Sequence, residues 1–175
     1  AKGFGMNVIA YDVKKNPFMS EFLGFKYVGL DELLQKSDII SLHAPYNKHT
    51  HHLINQGNIS LIKKGALLIN TARGGLVETP ALIKALDDGI LAGAGLDVLE
   101  GEDLIKEERQ LLSTNYPVDN LKMLLSNHIL LRRDNVIITP HIGFNSREAI
   151  MRILMTTASN IRAFYQNAPE NVVGG

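Results

Sequence analysis

Ala66-Leu67-Leu68-Ile69-Asn70-Thr71-Ala72-Arg73-Gly74-Gly75-Leu76 decides how the rest of the chain is read. The apolar run 66–69 has the length and composition of a strand buried on both faces. It stops at a polar turn, where Gly74-Gly75 lets the backbone come close to a neighbouring segment. Pro80 and the apolar residues of 81–86 then predict a helix, ended by Asp87-Asp88-Gly89. Arg73 therefore stands at the carboxyl edge of a parallel strand, the edge where open α/β sheets bind ligands. Its guanidinium has a fixed charge and a planar fork that matches a carboxylate or a phosphate. An ordinary loop Arg paired with a surface acid fits this stretch equally well.

Outward from this stretch, strands and helices alternate. Residues 6–12 predict a strand closing on Asp12, with Gly3 and Gly5 before it where a helix stops. A variable stretch runs to Gly24. Residues 25–28 predict a short strand, 30–36 a helix opened by Asp31-Glu32, and 38–42 a buried strand closing on His43-Ala44-Pro45. Residues 54–64 carry apolar side chains at helical spacing up to Gly65, and 91–98 predict a Gly-rich strand. Residues 99–133 are a long charged excursion, with helix expected at 104–112 and 121–126. A strand at 136–139 leads into Pro140-His141-Ile142-Gly143, and Ser146 caps an amphipathic helix to about Gln166. Such alternation predicts an α/β fold with a parallel, doubly wound sheet.

Composition narrows the function. The 175 residues carry 18 Lys+Arg and 18 Asp+Glu, a formal net charge of zero, so nothing points to nucleic acid or an acidic membrane surface. Cysteine is absent, which removes disulfides and thiolate metal sites and fits a cytoplasmic protein. No apolar run approaches the roughly 20 residues that span a bilayer. The chain opens Ala1-Lys2-Gly3 without an initiator Met, so a processed, cut or partial chain is expected, and Gly3 and Gly5 imply helical residues before Ala1.

Polar groups gather where the strands end: Asp12, Arg73, Asp97 with Glu102 nearby, and His141. An acid ending a strand of a nucleotide-binding half accepts hydrogen bonds from a ribose 2′-hydroxyl and repels a 2′-phosphate, favouring NAD over NADP. Many strands also end in Asp for structural reasons alone, and Lys14-Lys15 would suit a 2′-phosphate. A His beside a carboxylate keeps a defined tautomer and can hold a proton near neutral pH. His49, His51 and His52 cluster around Thr50 without the spacing of a metal site, at an expected helix entrance. His128 lies in the charged excursion and is expected to face solvent.

Five motifs follow one another: Tyr11-Asp12; Leu42-His43-Ala44-Pro45 with Thr50; Ile69-Asn70-Thr71-Ala72-Arg73-Gly74; Gly95-Leu96-Asp97-Val98 with Glu102; and Thr139-Pro140-His141-Ile142-Gly143. In this order they resemble the NAD-binding domain of the D-isomer-specific 2-hydroxyacid dehydrogenases, across essentially the whole chain. The segment 103–133 and the last helix look most like the D-lactate dehydrogenase branch. The resemblance implies a Rossmann-like fold, NAD as cofactor, no metal, a small 2-keto or 2-hydroxy acid as substrate and a homodimeric full-length enzyme.

It also implies roles. Arg73 would hold the substrate carboxylate and polarise the keto oxygen. His141, paired with Glu102, would exchange the proton. Asp97 would lie by the nicotinamide end, and Tyr11 and Asp12 at the adenosine ribose. His43, Ala44, Pro45, Thr50 and Gly143 would run along the cofactor, and Thr71 and Ala72 would offer it backbone groups. The family's G-x-G-x-x-G turn, about twenty residues before the ribose acid, does not occur in residues 1–175. The chain is thus expected to be a partial dinucleotide-binding domain. It would lack the first, central strand and the separate substrate domain, and would be inactive alone. The strands at 6–12 and 38–42 would each miss a neighbour. A dehydrogenase-like module that senses NAD(H) and contacts partners, as the resembling co-repressors do, and an inert fragment are the competing readings.

Overall fold

The computed structural model describes residues 1–102 and 117–173. Two compact units are formed, Ala1–Pro140 and His141–Gly175.

Among its described residues, the first unit holds six parallel strands in two sheets. β1 (Ile9–Ala10) pairs with β2 (Lys26–Tyr27), while β3 (Ile39–Leu42), β4 (Ala66–Asn70), β5 (Leu91–Leu96) and β6 (Val136–Ile138) form a four-stranded sheet in that order. Both β1 and β3 have only one neighbour among the described residues, the gap expected between them. No residue of 1–28 is buried; the core begins at Leu34.

Among the described residues, four helices belong to this unit: α1 (Pro17–Leu23), α2 (Leu30–Lys36), α3 (Thr79–Asp87) and α4 (Val118–Leu131). α2 has the bounds that its sequence predicts, with Asp31 and Glu32 in the first turn and Lys36 in the last, complementing the dipole. α3 starts with Pro80 in its first turn and buries Ala81, Leu82, Ala85 and Leu86 against the sheet core. The second unit is dominated by α5 (Arg147–Tyr165), whose first turn is capped by the Ser146 hydroxyl accepting from the Ala149 amide at 3.2 Å.

Four expectations change. The stretch before Gly24 is helical: Asn16 caps α1, Pro17 occupies the first turn and Gly24 closes it at φ 67°. Residues 54–64 form only a short 3₁₀ turn, Ile59–Leu61, and residues 48–52 a non-helical turn rather than a helix entrance. The cause is local competition. Asn55 and Asn58 side chains bond to nearby backbone groups, while Ile54 pairs its backbone with Leu76 and Glu78 instead of the next helical turn. α4 is longer than the expected 121–126, running from just after Pro117; the helix expected at 104–112 lies outside the described residues.

The strands, finally, are not buried on both faces. β3 and β4 alternate, with Ile40, Leu42, Ala66 and Leu68 inside, while Ile39 and Leu67 on the other face are 48% and 41% exposed. The register places Ile137 of β6 on that same open face, at 72%. The period-2 pattern is set by what covers each face, which a run of apolar letters does not reveal.

Candidate functional site

The four-stranded sheet is parallel, so the loops after β3, β4 and β5 leave from one edge. After β3, the His43 ring meets the Ser41 hydroxyl at 2.8 Å, Ala44 is half-buried and Pro45 exposed. Thr50 pins this loop: its hydroxyl donates to the Pro45 carbonyl at 2.6 Å and accepts the Asn47 amide at 2.8 Å.

After β4, Asn70 is 1% exposed and shapes the turn. Its Nδ2 donates to the Arg73 carbonyl at 2.9 Å, its Oδ1 accepts the Ala72 amide at 3.1 Å, and its own carbonyl accepts the Asp97 amide at 2.9 Å. Thr71 is exposed, Ala72 half-buried, and Arg73 opens a 3₁₀ turn at Gly74–Leu76 with extended backbone. The Arg73 side chain is exposed, with Nη1 bonded to the Ala72 carbonyl at 2.7 Å. Among the described residues it pairs with no acid, unlike an ordinary loop Arg tied to a surface carboxylate. Gly74 does admit a close neighbour: a Cβ there would lie 2.1 Å from the Leu99 carbonyl carbon. At Gly75 it would lie 2.6 Å from the Tyr46 ring.

After β5, Asp97 is 8% exposed and takes a short hydrogen bond from the Thr139 hydroxyl, tying the ends of β5 and β6 together. Glu102 is half-buried one turn later, its Oε2 facing the Leu99 amide at 3.4 Å. In the second unit, His141 is half-buried and adopts φ 55°, left-handed backbone that non-glycine residues seldom take. Such conformations gather at functional sites. Gly143 follows in the exposed turn before α5.

At the end of β1, Tyr11 and Asp12 are exposed, and one Asp12 oxygen accepts the Lys14 amide at 2.8 Å. Lys14 and Lys15 are exposed too. An outward carboxylate here is chemically fit for a ribose diol, and exposed Thr71 for a nicotinamide amide; a pyrophosphate-binding glycine turn is not within residues 1–175. The residues present thus suit the two ends of a dinucleotide.

One cluster escaped sequence reasoning. Glu100 has a side chain only 13% exposed, with Oε2 accepting the Thr79 amide at 3.0 Å and hydroxyl at 2.8 Å, and Oε1 meeting His52 Nε2 at 2.5 Å. Burial alone would raise its pKa, but the His52 hydrogen bond and both Thr79 donors outweigh that and hold the carboxyl below its ordinary value. The bonds thus stabilise the fold while Glu100 is ionised. That contribution is complete above the ordinary value of about 4.5 and is lost as pH falls through the lowered one. Acid unfolding followed by circular dichroism should therefore show a shallower dependence below pH ~4.5 in Glu100→Gln than in the wild type. Identical slopes would place the acid-sensitive groups elsewhere. His52 and its stacking neighbour His51, centroids 3.7 Å apart, are spent on this packing; no cluster able to hold a metal exists among the described residues. His128 is exposed, as expected.

Residues 1–143 match the model of the D-isomer-specific 2-hydroxyacid dehydrogenase NAD-binding domain. The chain belongs to this family. A glyoxylate reductase of Thermococcus litoralis is 41% identical over 99% of the chain and 46% of its own length. A D-specific alpha-keto acid dehydrogenase of Enterococcus faecium is 44% identical over 93% of the chain and 47% of its own. Among solved structures, Aquifex aeolicus D-lactate dehydrogenase complexed with NAD and lactic acid superposes with a TM-score of 0.80 at 43% identity, covering 95% of this chain and 48% of that one. The pyruvate reductase of Chlamydomonas reinhardtii gives 0.83 at 40%, covering 98% and 50%. The chain thus spans about half the length of the relatives it matches, has their Rossmann-like parallel α/β fold and matches their NAD-binding domain. No helix among its described residues is long and apolar enough to cross a membrane.

Proposed function

We propose that the full-length protein reduces 2-keto acids to D-2-hydroxy acids with NADH, as a cytoplasmic homodimer. The observation that carries this reading is Arg73: a guanidinium facing solvent at the carboxyl end of β4, on a turn held by buried Asn70 and paired with no acid among the described residues. Five donors in a fixed fork match a carboxylate and an adjacent keto oxygen held side by side. In this reading Arg73 orients the substrate and draws electron density toward the keto oxygen. His141, paired with Glu102, gives that oxygen its proton in reduction and removes it in oxidation. Asp97 stands by the nicotinamide end with Thr71 and Ala72, while His43, Ala44, Pro45 and Thr50 follow the cofactor. Gly143 follows the cofactor as well. NAD supplies or accepts the hydride; the chain supplies orientation and charge.

The test is product stereochemistry. Full-length protein supplied with NADH and glyoxylate, pyruvate or longer 2-keto acids is expected to oxidise NADH. Chiral chromatography of the products from pyruvate and the longer acids should give the D isomer. An L product, or no turnover with any 2-keto acid, refutes the proposal.

Asp12 yields a second expectation. If its carboxylate receives the ribose hydroxyls, kcat/KM with NADH should exceed that with NADPH by ~10²-fold or more, and Asp12→Ala should narrow the gap by about tenfold. Equal kcat/KM for both cofactors in the wild type would mean that Lys14 or Lys15 overrides the acid.

A further inference from the structure

Glu100 lies two residues before Glu102, and the run Arg73–Thr79 passes directly beneath it. That run is anchored at three points. Gly74 packs against the backbone of Leu99 and Glu100 so closely that no side chain fits between them. The Gly75 carbonyl accepts the amide of His52, whose ring is bound to Glu100. Thr79, the first residue of α3, gives both its amide and its hydroxyl to the Glu100 carboxylate.

From the far side, Asn127 of α4, 1% exposed, donates Nδ2 to the Glu100 carbonyl at 2.9 Å. One carboxylate therefore bridges the β3 loop and the start of α3, while the Leu99–Glu100 backbone packs on the β4 turn at Gly74 and α4 holds the Glu100 carbonyl. The guanidinium of Arg73 has no acid of its own among the described residues, so its position is inherited from the backbone that this network fixes.

We propose that Glu100 is a positioning residue for the reaction, setting the Arg73 fork and the Glu102 carboxylate in one geometry through His52 and Thr79. The proposal rests on the reading of Arg73 as the carboxylate-binding residue. A residue that merely stabilised the loop would change melting temperature and leave the kinetics of the folded enzyme alone. A positioning residue changes how well the fork meets substrate, and misplacement by about 1 Å costs up to ~10²-fold.

The experiment is a double-mutant cycle in the full-length enzyme, with NADH and pyruvate, below the melting temperature of each variant. Glu100→Ala is expected to lower kcat/KM by ~10–100-fold while the NADH dissociation constant, read by fluorescence, stays within about twofold. Glu100→Gln can accept from Thr79 and donate to a neutral His52, and should recover most of the loss. In an Arg73→Lys background, Glu100→Ala should cost less than about threefold, because the fork it positions is already gone. Should Glu100→Ala fail to fold, Thr79→Val, which removes one of the bonds, carries the same cycle with smaller numbers. Full additivity of the two losses, or a Glu100→Ala enzyme with lower Tm and unchanged kcat/KM, overturns the proposal alone. An Arg73→Lys enzyme with wild-type kcat/KM overturns it together with the Arg73 reading.

Discussion

His141→Gln in the full-length protein is expected, on the proposed function, to lower kcat for keto-acid reduction by about 10²–10⁴-fold, the range contributed by a positioned general acid. Glutamine offers an amide N–H of similar reach but has no proton to give at neutral pH. The loss should therefore fall on kcat more than on KM, because substrate is held by a different residue. NADH binding, followed by fluorescence titration, should be intact. The His141 backbone is left-handed, at φ 55°, a conformation that non-glycine residues seldom take. A His141→Gln enzyme with wild-type kcat under conditions where chemistry limits the rate would remove His141 from proton transfer.

Arg73→Lys should damage binding and turnover together. Lysine keeps the charge but has a single, rotatable ammonium in place of a planar fork. One of two charge-assisted hydrogen bonds is lost, each worth about 1.5–3 kcal/mol. If the fork serves the carboxylate in the ground state and the developing charge on oxygen in the transition state, KM should rise and kcat fall, for a combined loss near 10²-fold in kcat/KM. Unchanged kcat/KM with pyruvate would return Arg73 to the surface-loop reading.

Much of this protein was legible from local sequence. Pro80 in the first turn of α3, the Ser146 cap of α5, the acids opening α2 and the glycines after strands act over three or four residues, so letters and spacing suffice. The same holds for Asn16-Pro17 and Gly24 around α1, a cap, a first-turn proline and a closing glycine within nine residues. The alternation of strand and helix determined a parallel α/β sheet, and parallel strands determined that Asp12, Arg73 and Asp97 close strands at their carboxyl ends.

Tertiary structure decided what depends on distant residues. Residues 54–64 have helical spacing, yet Ile54 finds its backbone partners at Leu76 and Glu78, and Asn55 and Asn58 bond locally. Which face of β3 and β4 is covered follows from where α3 and its neighbours pack, so alternation replaced the continuous burial that the apolar letters suggested. The closest neighbour of Gly74 is the backbone at Leu99–Glu100, 25 residues on, and Glu100 meets His52 across a separation of 48. Nothing in a Glu two positions before another Glu marks it as the buried one. Its partners are far along the chain, and only folding sets the burial and the distances that give a carboxylate its chemistry.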